Sequence, residues 1–399
     1  MDSWAVQQRA ERDWEPEHRE RGSRADRQLR TVEVAIPPRI GGLSYEPGGA
    51  EARAHDGALI AITRLDAGFG EQLAPLGDFL LRSESVASSK IEHIDAGWRA
   101  FGKALAGGRA SAEAQSQLAA VHGLTAMVNA AGTGPITLST LLGAHATLMA
   151  PDYYAARDAG ALRTVQNWIG GSDYSPIDAL YVPPPPDLVA DLMEDLLLFA
   201  NRTDVPIVAQ AAIAHAQFES IHPFTDGNGR IGRALISAIL RRRELTRTVT
   251  VPLASVMLAD TSGYFSRLMA YRDGDAGQFV AYVARAAIHA SAASEDSARA
   301  LATLPGRWRD TALPRAHSGD EALLDRLLEN PVLNADTAQQ LTGTTEGSTY
   351  AALNRLTDAG VLEVLSQNKR NRIWAATDVL AELDALSAAI GRRSQHPPA

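Results

Sequence analysis

Near its middle the chain reads Ile221-His222-Pro223-Phe224-Thr225-Asp226-Gly227-Asn228-Gly229-Arg230-Ile231-Gly232-Arg233. Downstream, Ile231, Leu235 and Ile239 recur at every fourth position. This spacing predicts a helix that begins near Gly229 and buries that stripe. The residues before the stripe then form a loop at a helix N-terminus, where backbone N–H groups lack intrahelical partners and the helix dipole is positive. The stretch therefore predicts a site for an anion.

The residue types in this loop suit a phosphate in particular. Gly227 and Gly229 allow an anion to approach the backbone closely, and Asn228 between them supplies a neutral donor. Arg230 and Arg233 are three residues apart, so they share one face of the predicted helix and can reach the same polyphosphate as forked donors.

Two further side chains add chemistry to the predicted anion site. The carboxylate of Asp226 is a hard oxygen ligand of the kind that Mg²⁺ accepts when phosphates complete its coordination. The imidazole of His222 can take a proton from an incoming hydroxyl at neutral pH. Together these residues predict a nucleotide–Mg²⁺ site with a general base. Taken singly, His222 is more often structural and Asp226 more often a turn residue, so the joint spacing carries the argument.

A competing interpretation starts from Gly227 to Gly232, which match G-x-G-x-x-G literally. Such a fingerprint in a dinucleotide-binding fold follows a buried strand, but residues 208–219 are alanine-rich with helical spacing. The V-A-I-K and H-R-D elements of a protein kinase do not follow downstream. This context argues against both interpretations.

The stretch resembles the signature of Fic domain proteins, H-x-F-x-[D/E]-G-N-G-R-x-x-R. Every specified position is met here, by His222, Phe224, Asp226, Gly227, Asn228, Gly229, Arg230 and Arg233. The resemblance implies a nucleotidyltransferase that moves AMP from ATP to a Ser, Thr or Tyr hydroxyl of a target protein. It implies His222 as the base, Asp226 as the Mg²⁺ ligand and Phe224 as a core anchor. The nucleotide would lie against residues 227–233, a stretch that includes Ile231 and Gly232.

A second, weaker resemblance lies upstream, at Ser88 and Glu92. Taken alone, the polar residues 83–93 indicate a solvated helix face. Beside a Fic signature they resemble the family's inhibitory motif [S/T]-x-x-x-E-[G/N], whose glutamate competes with the terminal phosphate for the second motif arginine, here Arg233. His93 stands where the family has Gly or Asn, residues that often end a helix.

Two other segments resemble parts of Fic domains. Residues 160–186, here called the flap segment, contain two short β-prone runs and end in four prolines, which predicts a hairpin like the Fic flap that aligns a target by strand pairing. An ordinary connecting hairpin is the alternative. Tyr264 and Phe265 resemble the family's Tyr-Tyr-x-x-Leu segment, so Tyr264 is predicted either to contact adenine or to pack in the core.

Composition sets the wider limits. The chain has 399 residues, 45% hydrophobic content, no cysteine and a formal net charge of −9. These values predict two or three domains, exclude disulfides and thiol chemistry, and give no support for whole-surface attraction to DNA or an anionic membrane. No long apolar run or signal peptide is apparent, so we expect a cytoplasmic protein without a membrane partner.

The fold class predicted is mainly α, a Fic-type helical core with a small β-hairpin flap and a C-terminal winged helix-turn-helix. The sequence predicts five parts. They are a partly disordered N-terminal arm (1–49), a helical segment with the inhibitory motif (50–110), the catalytic core (111–292), a linker (293–320) and the winged helix (321–390). The last assignment depends on three predicted helices followed by two strands around residues 366–371.

Several functions remain open at this point. A winged helix indicates DNA binding, with Lys369, Arg370 and Arg372 on phosphates, although the same fold also serves protein contacts or dimerisation. The leading interpretation is a protein adenylyltransferase autoinhibited by Glu92, acting on a protein target that includes itself, with a homodimer as a candidate assembly. The alternatives are a hydrolase that removes AMP at the same site and a nucleotide-sensing DNA-binding regulator.

Overall fold

The structure is a computed structural model that describes residues 4–15, 22–70, 75–366 and 371–395. It is mainly helical, as predicted. In chain order the elements are β1 (Gln8–Asp13), α1 (Arg24–Gln28), β2 (Thr31–Ile36), α2 (Gly49–Leu65), α3 (Pro75–Ile91), α4 (Gly97–Leu105), α5 (Ala112–Thr133), α6 (Leu138–Met149), α7 (Pro186–Ala200), α8 (Ile207–Ile221), α9 (Asn228–Arg242), α10 (Leu253–Ala259), α11 (Thr261–Arg272), α12 (Ala276–Ala312), α13 (Gly319–Leu324), β3 (Val332–Asn334), α14 (Ala335–Thr342), α15 (Glu346–Asp358), β4 (Leu362–Val364), β5 (Ile373–Ala376) and α16 (Thr377–Gln395). A π-helical turn at Asp66–Gly70 follows α2, and a 3₁₀ turn covers Ala155–Arg157.

The chain divides into two compact units. The first, unit 1, comprises residues 1–59, 123–245 and 261–285, and the second, unit 2, comprises residues 60–122, 246–260 and 286–399. The boundaries pass through α2, α5 and α12, which are continuous helices.

Unit 1 is built around α8, in which every residue from Val208 to Ile221 is buried. A helix that is buried on every side lies in the centre of a core, and α8 packs against α7, α9 and α11. The close approach of α9 depends on Gly232, because a Cβ atom there would lie 2.4 Å from Glu219 Oε1 and 2.9 Å from a ring carbon of Phe218.

The N-terminal arm is more ordered than predicted. Its strand β1 pairs antiparallel with β2, in a register that places Gln8 opposite Ile36 and Asp13 opposite Thr31. The charged, alternating residues of β1 carry little apolar signal because this strand exposes most of its side chains. Pairing with β2, rather than burial, accounts for the strand.

In unit 2, α3 packs against α10 and α16. Its polar residues are not a solvated face: Ser83, Glu84, Ser85, Ser88 and Ser89 are all buried. Glu84 is satisfied there, since it accepts a hydrogen bond of 2.7 Å from the backbone N–H of Ala254 in α10. Serine side chains and one hydrogen-bonded carboxylate can thus be buried between helices, although the sequence pattern predicts that this face is exposed to solvent.

The predicted connector or partly helical linker at 293–320 is helical for most of its length, because α12 runs unbroken to Ala312 and contains Pro305. Its buried positions Leu301, Leu304 and Trp308 recur at helical spacing, and this packing outweighs the cost of a proline in the helix.

After α12, helices α13, α14 and α15 and strands β4 and β5 follow in the predicted order, and a strand not predicted, β3, joins them in the sheet order β3-β5-β4. Asn334 and Thr345 cap α14 and α15 with their side chains. A helix not predicted, α16, ends the described part of the chain. None of the helices among the described residues combines the length and apolar character that a membrane crossing requires.

Candidate active site

The predicted base ends α8. His222 is the C-cap residue of that helix and has left-handed backbone angles, φ 51° and ψ 61°. Its N–H donates to the carbonyl of Phe218 at 2.8 Å, which completes the last turn. A non-glycine residue in this region costs about 1–2 kcal/mol, so the surrounding contacts must hold it there. The side chain is half-buried.

Residues 222–229, here called the motif loop, are closed by Asn228. Its side-chain oxygen accepts from the N–H of Phe224 at 2.8 Å, and its side-chain NH₂ donates to the carbonyl of Phe224 at 2.8 Å. Asn228 is 3% exposed, and its amide closes the loop; a contact of Asn228 with nucleotide stays a prediction. Phe224 itself is fully buried, which confirms its predicted role as a core anchor.

His145, from α6, supports the other side of the loop. Its ring stacks on Phe224 with a centroid separation of 3.9 Å and an interplanar angle of 4°. The N–H of Gly160 donates to Nδ1 at 3.0 Å, so Nε2 carries the proton and donates to the carbonyl of Asp226, also at 3.0 Å. Burial lowers the pKa of His145, which favours this neutral tautomer.

The N-terminus of α9 faces the loop without a side-chain cap. The N-cap residue is Gly227, with φ 79°. A Cβ atom at this position would lie only 3.1 Å from the side chains of Leu148 and Met149. By contrast, Thr137, Asn334 and Thr345 cap their helices with side-chain oxygens. Because Gly227 has no side chain to accept from the first N–H groups of α9, these groups suit an anionic ligand.

Asp226 is the exposed acid of the site. Its side chain is 64% exposed, one oxygen accepts from the N–H of Gly227 at 2.5 Å, and the other lies 3.7 Å from the guanidinium of Arg230. Among the residues described, no three histidine or acidic side chains come together as a ligand set. One accessible carboxylate fits a Mg²⁺ ion that keeps water and phosphate oxygens as its other ligands.

The two arginines of the motif are buried: Arg230 is 7% exposed and Arg233 is 1% exposed. Arg230 lies next to Met149, with 4.0 Å between Nη2 and the sulfur. The charge of Arg233 helps to lower the pKa of His215 in α8, which places these two side chains near each other. Both side chains are therefore largely covered by protein in this structure.

Other residues predicted to bind nucleotide serve packing. Ile231 is 3% exposed, and Gly232 faces α8. Tyr264 is fully buried, and its hydroxyl lies 2.9 Å from His215 Nε2. Tyr264 is thus packed in the core of unit 1, and its contact with adenine stays a prediction.

The flap segment contains less strand than predicted. Ile169 and Tyr181 form a single antiparallel bridge, with the N–H of Ile169 donating to the carbonyl of Tyr181 at 2.9 Å. The segment also supplies residues that sequence patterns did not single out: Arg163, Asn167 and Tyr181 all donate to carbonyls around His222. Nothing in their spacing signals these contacts, which depend on the return of the chain to α8.

The remaining predicted residues lie in unit 2. Ser88 is buried near the end of α3, and Glu92 is exposed just after it. His93 has φ 61°, so it adopts the left-handed conformation that Gly or Asn usually supplies at a helix end. The departure from the family pattern therefore leaves the helix end intact.

In the C-terminal elements, the exposed charges of α15 include Glu346 and Asp358, and Arg355 forms a bidentate ion pair with Asp320. Lys369 and Arg370 lie outside the described residues. DNA binding stays a prediction.

Comparison with known proteins agrees with this geometry. Residues 135–240 match the model of the Fic/DOC family. A probable protein adenylyltransferase of Aquifex aeolicus is 43% identical over 70 residues, which are 17% of this chain and 22% of that protein. The protein adenylyltransferase Fic of Nematostella vectensis is 33% identical over 130 residues, 32% of this chain and 27% of that protein. The chain thus matches only about a quarter of the length of these relatives.

A solved structure extends the likeness of fold. The crystal structure of a Fic family protein from Desulfovibrio desulfuricans superposes with a TM-score of 0.53 at 22% identity, and the match covers 83% of this chain and 97% of that one.

Proposed function

We propose that the protein is a protein adenylyltransferase that moves AMP from ATP to a Ser, Thr or Tyr hydroxyl of a target protein. The observation that carries the proposal is the motif loop: a histidine at the end of one helix, an uncapped helix N-terminus for phosphate, and an exposed carboxylate between them. The adenylyltransferases to which the Fic domain is similar point the same way.

In the proposed reaction His222 takes the proton of the acceptor hydroxyl as its oxygen attacks the α-phosphorus of ATP. A new phosphorus–oxygen bond joins AMP to the target, and the bond to the bridging oxygen breaks, so that pyrophosphate leaves with the electron pair. The N–H groups at the start of α9 would stabilise charge on the phosphates, and Arg230 and Arg233 would hold the outer ones. Asp226 would hold Mg²⁺, which supplies charge neutralisation for the leaving group.

We further propose that the enzyme is autoinhibited, with Glu92 competing with the terminal phosphate for Arg233. The helix end before Glu92 is well formed despite His93. A carboxylate and a terminal phosphate would compete for the same guanidinium, so removal of Glu92 should raise the rate of transfer.

The first test is transfer of label from ATP to protein, with Mg²⁺, comparing wild type and Glu92→Gly. The exposed Glu113 in α5 provides the matched control, Glu113→Gly. We expect strong labelling from α-labelled ATP in Glu92→Gly alone, and none from γ-labelled ATP in any sample. Self-modification serves as the readout, because it needs no separate target protein.

Other outcomes would overturn the proposal. Label from γ-labelled ATP would indicate phosphoryl transfer instead. Absence of α-label in both variants, with loss of AMP from a previously modified protein in wild type, would indicate the hydrolase alternative. Absence of both activities, with salt-dependent binding of DNA, would indicate the regulator.

A further inference from the structure

The carbonyl groups around His222 are capped by side chains from elsewhere in unit 1. The last carbonyls of a helix have no partner inside it. Here Arg272, from α11, donates to the carbonyl of Glu219 at 3.0 Å, and the hydroxyl of Tyr181 donates to that of Ser220 at 2.7 Å. Arg272 also lies over the ring of Tyr181, 3.5 Å from its centroid. The end of α8 is therefore capped by α11 and the flap segment.

Arg163 donates hydrogen bonds to the last residues of α8 and to the turn after it, where His222 lies. Its Nε donates to the carbonyl of His222 at 2.8 Å, and Nη2 donates to that of Ile221 at 3.4 Å. Its backbone N–H donates to the carbonyl of Pro223 at 2.9 Å. One flap residue thus contacts three successive residues of the turn that places the base.

The same guanidinium also holds the flap segment. Nη1 donates to the carbonyl of Val165 at 3.0 Å, and Nη2 donates to that of Pro184 at 2.5 Å. Arg163 is 4% exposed, and its side-chain bonds go to backbone carbonyls. Burial lowers its pKa to about 10, so it stays charged at neutral pH, where the negative end of the α8 dipole favours a cation.

We infer that Arg163 is a positioning residue that fixes the orientation of His222 relative to the flap segment. It joins carbonyls at both ends of that segment to the carbonyl of His222 through one rigid, planar group. In an adenylyltransferase the flap segment would align the acceptor and His222 would deprotonate it, so Arg163 would set the distance between acceptor and base. This inference deepens the proposed function and rests on it for its catalytic part.

Lysine cannot replace this group. An ammonium is a point charge with three donors, whereas the four side-chain bonds of Arg163 diverge from a fork. Arg163→Lys keeps the charge and most of the volume but loses the simultaneous contacts to His222, Val165 and Pro184. Arg157, in the 3₁₀ turn nearby, is exposed and has no such contacts among the described residues, so Arg157→Lys is the matched control.

The experiment has two readouts, both made in the Glu92→Gly background. The first is the initial rate of AMP transfer against ATP concentration. Because a displacement of about 1 Å at a reacting group can cost about 10²-fold, we expect Arg163→Lys to lower kcat by roughly that factor. KM for ATP should stay within about threefold, because the groups at the start of α9 that bind phosphate are not contacted by Arg163.

The second readout does not depend on activity. Hydrogen–deuterium exchange should become faster together in peptides covering residues 164–184 and 218–224 of Arg163→Lys, and stay unchanged in peptides covering residues 286–304 of α12. Arg157→Lys should match its parent in both measurements. Faster exchange throughout the chain would assign Arg163 to global stability, and faster exchange in only one of the two segments would show that it does not join them; either result overturns the inference.

The two readouts separate the two claims. If the Glu92→Gly parent transfers no AMP, the proposed function fails, while the exchange pattern still decides whether Arg163 joins the flap segment to His222. If transfer is normal and kcat falls no more in Arg163→Lys than in Arg157→Lys, the proposed function stands and the positioning role is refuted.

Discussion

Two helices of this protein end on a histidine with a left-handed backbone. His222 follows α8 with φ 51°, and His93 follows α3 with φ 61°. In each case backbone hydrogen bonds of the last turn close the helix, from His222 to Phe218 and from His93 to Lys90. The two ends thus share a left-handed histidine, although the backbone bond at His222 reaches back four residues and the bond at His93 reaches back three.

Their surroundings differ. At His222 the carbonyls of the turn accept from buried side chains, Arg163 among them, and the imidazole is half-buried. At His93 the side chain is exposed, and the side chain of Gln117 donates to the carbonyl of Ile94 at 3.1 Å. The comparison teaches that a strained backbone conformation becomes part of a site only where tertiary contacts over-determine it.

The largest expected difference between the two ends is in activity. Asn tolerates left-handed angles, so His222→Asn removes the imidazole without changing the backbone preference. In the Glu92→Gly background we expect the rate of AMP transfer to fall by about 10²–10⁴-fold, the usual contribution of a general base. His93→Asn in the same background is the matched control and should leave the rate within about twofold. Equal rates for the two variants would exclude His222 as the base.

Stability should also distinguish the two ends. Asn228→Ala leaves the buried N–H of Phe224 without its acceptor and removes two loop hydrogen bonds, so we expect the free energy of unfolding to fall by about 2–4 kcal/mol. Gln117→Ala removes only the donor to Ile94 and should cost about 1–2 kcal/mol. Urea unfolding of both variants measures the difference. A larger loss for Gln117→Ala would contradict the view that the motif loop is the more tightly determined end.

Acid should weaken the region of α8. Burial, with the charge of Arg233 adding to it, lowers the pKa of His215 to about 3, against about 6.5 in an unfolded chain. The unfolded state therefore binds more protons between these values, so the stabilisation is fully present above pH 6.5 and is lost as the pH falls towards 3. At pH 5 the loss should be about 2 kcal/mol.

His215→Gln provides the control, since glutamine can bond Tyr264 but does not titrate. Urea unfolding at pH 7.5 and pH 5 should show a smaller loss in this variant than in wild type. The same loss in both would assign the acid sensitivity to other groups.

The smallest effect is expected from His93→Gly. Glycine adopts φ 61° without strain, but it gains conformational entropy in the unfolded chain, and the two effects oppose each other. We expect a change below about 1 kcal/mol in the free energy of unfolding. His93→Val, which cannot adopt the angle easily, should lose about 1–2 kcal/mol and so checks that the conformation persists in solution.

Three examples show which residues of the site sequence patterns could identify and which they could not. The residues from His222 to Arg233 could be recognised together because their chemistry lies in twelve successive positions. The environment of Tyr264 could not be predicted, because the sequence pattern of an aromatic residue in a helix is the same whether its ring contacts a ligand or a buried side chain. Here its hydroxyl contacts the buried His215. Arg163 was invisible as a contact of His222, since 59 residues separate the two in the chain.

What the sequence determined by itself is which groups stand together: a histidine, a carboxylate, a glycine-rich loop and the helix that follows, all set by neighbours along the chain. Only the tertiary structure decided which polar groups are buried, as in α3, and which elements continue, as in α12. The tertiary structure also decided which side chains cap the end of α8. The physical reason is that burial and hydrogen bonding are satisfied between distant segments, and a buried polar group adopts whatever partner the packing supplies.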